Sequence, residues 1–266
     1  MKQIFLSLLA VATLVSCSKV GKNEFIIEGN AEGVKDGVAV YLEKQDSTGL
    51  VQVDTVKVEK GKFKFEGNVT EPGLHFVQVD QTQGKIVFVL ENGEISLKVD
   101  KDSINKSVVG GTYSNDQLAT YSKEYEKVQK KMQAFQKANM EKWQQAQMAQ
   151  DTVTRNALIK ENKIFQDEFM KLTIDHIEKH PKSYLSLLFI GQLINQPDRD
   201  VAKLNKYYES LDADLKATKE GKKLKKALTE IAEAEKKSPV VPPLPQQLEV
   251  SLQINMHQVK FVHRFL

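Results

Sequence analysis

The sequence predicts an α+β protein, with an N-terminal antiparallel β-sandwich or open barrel followed by a helical segment with a long helical hairpin. Three observations predict it. Between Glu24 and Gly111, apolar residues recur every second position in short runs separated by Gly-containing turns. After Gly110-Gly111 the apolar spacing changes to alternating steps of three and four, the repeat of a helix face. At Ser238 the character changes again, because Pro239, Pro242, Pro243 and Pro245 follow within a few residues and exclude helix there.

The strands follow in order. Phe25-Ile26-Ile27 opens the first, and Val38 to Leu42 forms the second. Val51, Val53, Thr55 and Val56 belong to a third. Lys60-Gly61 supplies a turn into Lys62-Phe63-Lys64-Phe65-Glu66, which alternates cleanly. Leu74 to Val79 follows Pro72-Gly73. Lys85 to Leu90 is expected to pair with Ile95 to Val99 across Glu91-Asn92-Gly93, since Asn-Gly favours a two-residue hairpin turn.

The helices begin at Ser114-Asn115-Asp116-Gln117, which has the form of a capping box. Leu118, Tyr121, Tyr125, Val128, Met132 and Phe135 then make one apolar stripe. A second helix is expected from Asp151 or Thr152, with Leu158, Phe165, Phe169 and Leu172 on its stripe, and His180-Pro181 ends it. Together these form an antiparallel hairpin. Ser183 to Ile194, Asp198 to Ser210 and Asp212 to Lys237 are read as three further helices. The lone Trp143, near the hairpin tip, is read as a packing residue. Gly110-Gly111 is read as a hinge between the two halves. The chain thus divides into segments 1–16, 17–23, 24–111, 112–237 and 238–266, the last a Pro-rich tail read as aberrant or disordered.

Composition and the N-terminus bear on location. Lys2 precedes a nearly unbroken apolar run from Ile4 to Val15. That run is about a dozen residues, short of the roughly 20 that span a bilayer, so 1–16 reads as a signal peptide. Leu14-Val15-Ser16-Cys17 resembles the lipobox of bacterial lipoproteins. The resemblance implies that the Cys17 thiol is alkylated with diacylglycerol, the chain is cut before it, and the new amine is acylated, palmitate being the expected acyl group. Residues 17–23 would then be a lipidated linker. Ser18, not Asp, follows the cysteine, which by the sorting rule of Gram-negative lipoproteins points to the outer membrane, on its periplasmic side. Cys17 is the one cysteine of the chain, so no disulfide can form within it and no thiol nucleophile remains. Lys and Arg number 38 against 35 Asp and Glu, a balance that carries no nucleic-acid footprint.

The order of parts, carried by Phe25-Ile26-Ile27-Glu28-Gly29, Gly61 to Gly67, Gly110-Gly111-Thr112 and His180-Pro181-Lys182-Ser183-Tyr184, resembles a group of Bacteroidota lipoproteins. In these a lipobox is followed by a small β-rich domain of unknown function, a helical segment and a thioredoxin-like domain of the thiol-disulfide interchange or peroxiredoxin-related type. The resemblance covers roughly residues 17–237. It implies redox chemistry at a Trp-Cys-x-x-Cys turn, which this chain lacks, so no catalytic residue carries over. The expectation is a truncation or frameshift that removed the thioredoxin-like domain.

Other chemistry is sparse. His176 and His180 stand at i and i+4, a spacing that can bind zinc, but Ile177 occupies the position where a metalloprotease motif carries Glu. They are read as solvated histidines at a helix end and only weakly as metal ligands. The lysines and glutamates from Glu220 to Glu235 read as a solvated helix face. No G-x-S-x-G nucleophile motif occurs. Ser47, Thr55, Ser103 and Thr152 each follow Asp in a short motif resembling the O-glycosylation sites of the same bacterial group. The expected function is therefore an envelope lipoprotein without catalysis or cofactor, held to the membrane by its lipid and binding or positioning an unidentified envelope protein. The alternative is a thiol-disulfide redox lipoprotein surviving as its non-catalytic front half.

Overall fold

The computed structural model describes residues 20–46 and 49–237. Segment 1–16, Cys17, Ser47 and the tail 238–266 lie outside the described residues. Eight strands come first: β1 Glu24–Asn30, β2 Ala39–Asp46, β3 Gly49–Lys57, β4 Lys62–Asn68, β5 Gly73–Val79, β6 Ile86–Leu90, β7 Gly93–Lys98 and β8 Val108–Gly110. They form two four-stranded sheets, ordered β4-β1-β7-β8 and β3-β2-β5-β6. Alternation puts one face of each strand inward. Ile27, Phe63, Phe65, Ile95 and Leu97 of the first sheet meet Val40, Leu42, Val77, Ile86 and Phe88 of the second in one apolar core. The architecture is an α+β protein with an open two-sheet sandwich, not a closed barrel. It is not purely antiparallel, because β1 runs parallel to β7 while pairing antiparallel with β4.

One expected pairing is overturned. The segment Lys85 to Leu90 does not form a hairpin with Ile95 to Val99; β6 pairs with β5, and β7 with β1 and β8. At Glu91-Asn92-Gly93 the chain instead crosses from one sheet to the other. The crossing lets both strands face the same core, with Phe88 and Ile95 contributed from opposite sheets. Asn92 fixes it by donating through Nδ2 to the carbonyls of Gly21 (2.8 Å) and Glu24 (2.6 Å), beside the start of β1. The Lys60-Gly61 turn is as expected, with both residues at positive φ as a type I′ turn requires.

The helices are α1 Tyr113–Met148, α2 Thr152–Lys179, α3 Tyr184–Leu193, α4 Val201–Ser210, α5 Ala213–Ala217 and α6 Lys219–Lys237. The hairpin of α1 and α2 follows the stripe expected from sequence: Leu118, Tyr121, Tyr125, Leu158 and Phe169 are buried, and Val128 and Met132 pack beside them. Asp151 caps α2 by accepting from Thr154 N, and α2 ends before Pro181. The single helix expected over Asp212 to Lys237 is broken at Thr218, whose backbone is extended. Thr218 Oγ1 donates to the Leu215 carbonyl and accepts from Gly221 N, closing one helix and capping the next.

The helices form a second core that includes Tyr121, Ile177, Phe189, Ile190, Leu204 and Leu228. Val89 of β6 belongs to this core and Leu74 of β5 packs against it. The helical layer therefore lies on the outer face of the second sheet, at its β5–β6 side. Gly110-Gly111 is no free hinge. Gly111 has φ +95°, and any Cβ there would collide with the Glu94 carbonyl oxygen, so the turn is packed tightly on β7.

Candidate functional site

The candidate site is the junction where the sandwich meets α1, α2 and α3. β6 is an edge strand, and an edge leaves backbone donors and acceptors without a strand partner. Asn115 of α1 satisfies Val89 on both counts. Its Oδ1 accepts from Val89 N and its Nδ2 donates to the Val89 carbonyl, each at 2.8 Å. The same Nδ2 donates to Thr112 Oγ1 at 2.8 Å. Asn115 is fully buried, and its amide stands where a fifth strand would otherwise lie.

Ser114 is not the helix cap that the capping-box pattern suggested; Thr112 is the N-cap residue, without a side-chain capping bond. The Ser114 hydroxyl is used elsewhere. It donates to Glu91 Oε2 at 2.8 Å while Ser114 N donates to Glu91 Oε1, and it accepts from Tyr184 N at 3.1 Å. One carboxylate after β6 thus holds the start of α1, where the helix dipole favours negative charge. Through Ser114 it also holds the start of α3. Sequence reasoning missed this junction. The available signal was Asn115, a polar residue three positions before Leu118 and so on the buried face of the helix.

The two histidines lie at the far side of the junction. The expectation that both are solvated is overturned for His176, which is 6% exposed and belongs to the buried interior. Its ring sits edge-on to Tyr121 (5.6 Å) and Phe189 (5.2 Å), with His180 4.9 Å away. Burial, and secondarily the neighbouring His180, lower its pKa from 6.5 to about 4, so the ring is neutral at ordinary pH. His176 Nε2 faces Ser183 Oγ at 3.3 Å. His180 Nδ1 faces the Tyr113 hydroxyl at 3.4 Å. Burial likewise pushes the Tyr121 hydroxyl up to about 12, and it sits 3.0 Å from Thr173 Oγ1. Among the described residues no group of three or more His, Cys, Asp or Glu is placed to hold a metal ion. What the cluster does is pack aromatic rings at the corner between α2 and α3.

The remaining sequence candidates are dispersed. Thr55 is exposed on β3, with Oγ1 accepting from Gln52 Nε2 at 2.7 Å. Ser103 is half-buried before a 3₁₀ turn at Ile104–Lys106, and its N donates to Asp100 Oδ1. Thr152 is exposed at the first position of α2, by the hairpin turn. Trp143 is 37% exposed and stands outside both apolar cores. A shallow cleft of about 330 Å³ between α4 and α6 is lined by Val201, Ala202, Asn205, Ala232, Glu235 and Lys236, with no convergent set of polar groups. Among the described residues no helix is long and apolar enough to cross a membrane.

A β-sandwich sealed along one edge by a helical layer is the class of protein these features define. Residues 25–118 match the family model described as Domain of unknown function (DUF4369), so the matched segment takes in all eight strands and the first turns of α1, Asn115 included. No curated protein and no solved structure matches the chain.

Proposed function

We propose that this chain is an envelope lipoprotein, anchored through lipid on Cys17, whose folded body binds or positions a partner and performs no catalysis of its own. The observation that carries the proposal is the cysteine count: Cys17, beside the apolar run Ile4 to Val15, is the one cysteine present, so lipid on that sulfur leaves no thiol for redox chemistry. The resemblance to thiol-disulfide lipoproteins supports a non-catalytic front half of that kind. Outer-membrane attachment on the periplasmic side is the location this reading assigns, with Ser18 as its basis.

The described fold is consistent with a positioning role. Gly21 and Glu24 are tied to Asn92, next to Glu91 and the start of α1. From there α1 runs 36 residues, about 54 Å at 1.5 Å per residue, to the hairpin turn. A lipid a few residues before Gly21 would hold one end of a rod, and the hairpin tip would be its far end.

The test is metabolic labelling with an alkyne palmitate in a bacterial host, followed by membrane fractionation. The natural chain should be labelled and sediment with membranes, and Cys17→Ser should lose the label and become soluble. An unlabelled natural chain with a free, reactive thiol at Cys17 would overturn the reading.

A further inference from the structure

Of the asparagines in the chain, only Asn92 is followed by glycine. That dipeptide is chemically labile in water, because a residue without a Cβ leaves its backbone nitrogen open to the side-chain carbonyl carbon of the residue before it. The labile amide is here also a structural tie. Asn92 Nδ2 donates to the carbonyls of Gly21 and Glu24, and carbonyls only accept, so an amide nitrogen is required at that position. The segment it holds is a turn. Glu24 N donates to the Gly21 carbonyl at 3.3 Å, and Gly21 N donates to Glu24 Oε2 at 2.9 Å. Gly21, Lys22, Glu24 and Asn92 are all exposed, so water reaches the tie.

We infer that Asn92 is a deamidation site gated by this turn, and that its conversion makes release of residues 21–24 permanent. While Nδ2 is engaged, the side chain is drawn toward the start of β1 and away from the Gly93 nitrogen. When the turn opens, the side chain rotates freely and Gly93 N attacks Asn92 Cγ. An N–C bond forms, the Cγ–Nδ2 bond breaks, and ammonia leaves with the proton from Gly93 N. The five-membered succinimide that remains takes up one water. The water opens the ring at Cγ to give aspartate, or at the main-chain carbonyl to give isoaspartate. Nothing is oxidised or reduced. The new carboxylate is ionised at neutral pH and has no proton to donate. It faces the two carbonyls where Nδ2 stood, so it repels what the amide held. Isoaspartate also lengthens the backbone by one methylene at the crossing from β6 to β7.

The consequence falls on the end of the folded body nearest Cys17. Asn92 follows Glu91, whose carboxylate holds the start of α1. With the turn closed, residues 21–24 are fixed against that junction. With it open, Lys22 becomes a free cleavage point between Cys17 and β1. On the lipid reading above, a cut there frees the body from the membrane; the chemistry at Asn92 does not depend on that reading.

Peptide mapping by mass spectrometry tests the gate on the full chain, held in mildly alkaline buffer at physiological temperature. The deamidated fraction should rise at Asn92 and stay near zero at Asn139 and Asn195, which precede Met140 and Gln196. Glu24→Ala removes the bond from Gly21 N and keeps both carbonyls. Its rate at Asn92 should be about fivefold higher, since chemistry slower than opening follows the open population, and one lost hydrogen bond shifts that population by about this factor. Asn92→Asp supplies the product directly. Trypsin should cut it after Lys22 at least about fivefold faster than the fresh natural chain, with cleavage in the helices unchanged, and the aged natural chain should match it. Conversion at Asn92 no faster in Glu24→Ala than in the natural chain would overturn the inference, as would equal resistance of Lys22 in Asn92→Asp and the fresh natural chain. Palmitate labelling of the same preparation reports on Cys17 separately, so the two readings fail independently.

Discussion

Replacing Asn115 with leucine should destabilise the whole protein, not only the start of α1. The two side chains share the same branched four-atom skeleton, so the perturbation replaces the amide's oxygen and nitrogen with slightly bulkier methyl groups and removes its hydrogen bonds. Leucine leaves the Val89 N–H and carbonyl without the partners that Asn115 supplies at 2.8 Å, inside a site from which water is excluded. Each orphaned buried backbone group costs about 1–3 kcal/mol, and the added apolar burial returns about 1 kcal/mol, so the net loss is about 3 kcal/mol. A domain of this size holds roughly 5–15 kcal/mol in all. In urea, with a slope near 3 kcal/mol per molar, the unfolding midpoint should fall by about 1 M. Hydrogen exchange gives the site-specific measurement, because the Val89 amide should lose protection before its neighbours in β5. A midpoint shift under about 0.3 M with Val89 still protected would refute the view that Asn115 seals the sheet edge.

Two further outcomes follow from buried groups. His176 titrates near pH 4 in the fold against about 6.5 when unfolded, so the unfolded chain binds more protons between those values. Its contribution is complete above pH 6.5 and is lost as pH falls toward 4, about 3 kcal/mol in total. Urea midpoints at pH 7.5 and pH 4.5 should differ less for His176→Phe than for the natural protein, and equal differences would count against this assignment. His75, lowered by burial at the end of the sandwich core, titrates with the same sign in both proteins and cancels from the comparison. Gly29 of β1 pairs with Phe63 of β4, whose ring lies over the glycine where a Cβ would go. Gly29→Ala should cost about 2 kcal/mol and lower Tm by about 4–8 °C in calorimetry, and Phe63→Leu in the same chain should recover part of it. An unchanged Tm would rule out close packing at this pair.

The sequence carried the local periodicities and not the long-range choices. Lys62 to Glu66 alternates because one face of β4 is buried and the other is wet, and that pattern is written in five consecutive residues. The hairpin stripe from Leu118 was equally legible, because α1 and α2 bury each other along their length. Asn92-Gly93 was not, since a turn of that composition serves either a hairpin or a crossing between sheets. The decision lay with β1, which comes nearly seventy residues earlier and accepts β7 as a parallel neighbour. Burial of His176 was illegible for a similar reason, because Tyr121 and Phe189, which enclose it, come from two other helices. Ser114 fitted a cap by its local spacing, but Glu91 and Tyr184 claim its hydroxyl.

Val89 has one consequence for how the molecule can be divided. It belongs to a strand of one sheet, a residue of the helical core, and an edge closed by a side chain of α1. A fragment cut at Gly111, where the strands end, would carry the sandwich with that edge raw and prone to recruit strands from other molecules. A fragment carried on past Leu118 would keep its plug. The smallest piece of this chain that can live apart is therefore set by the amide of Asn115, three residues before Leu118, and not by the last strand.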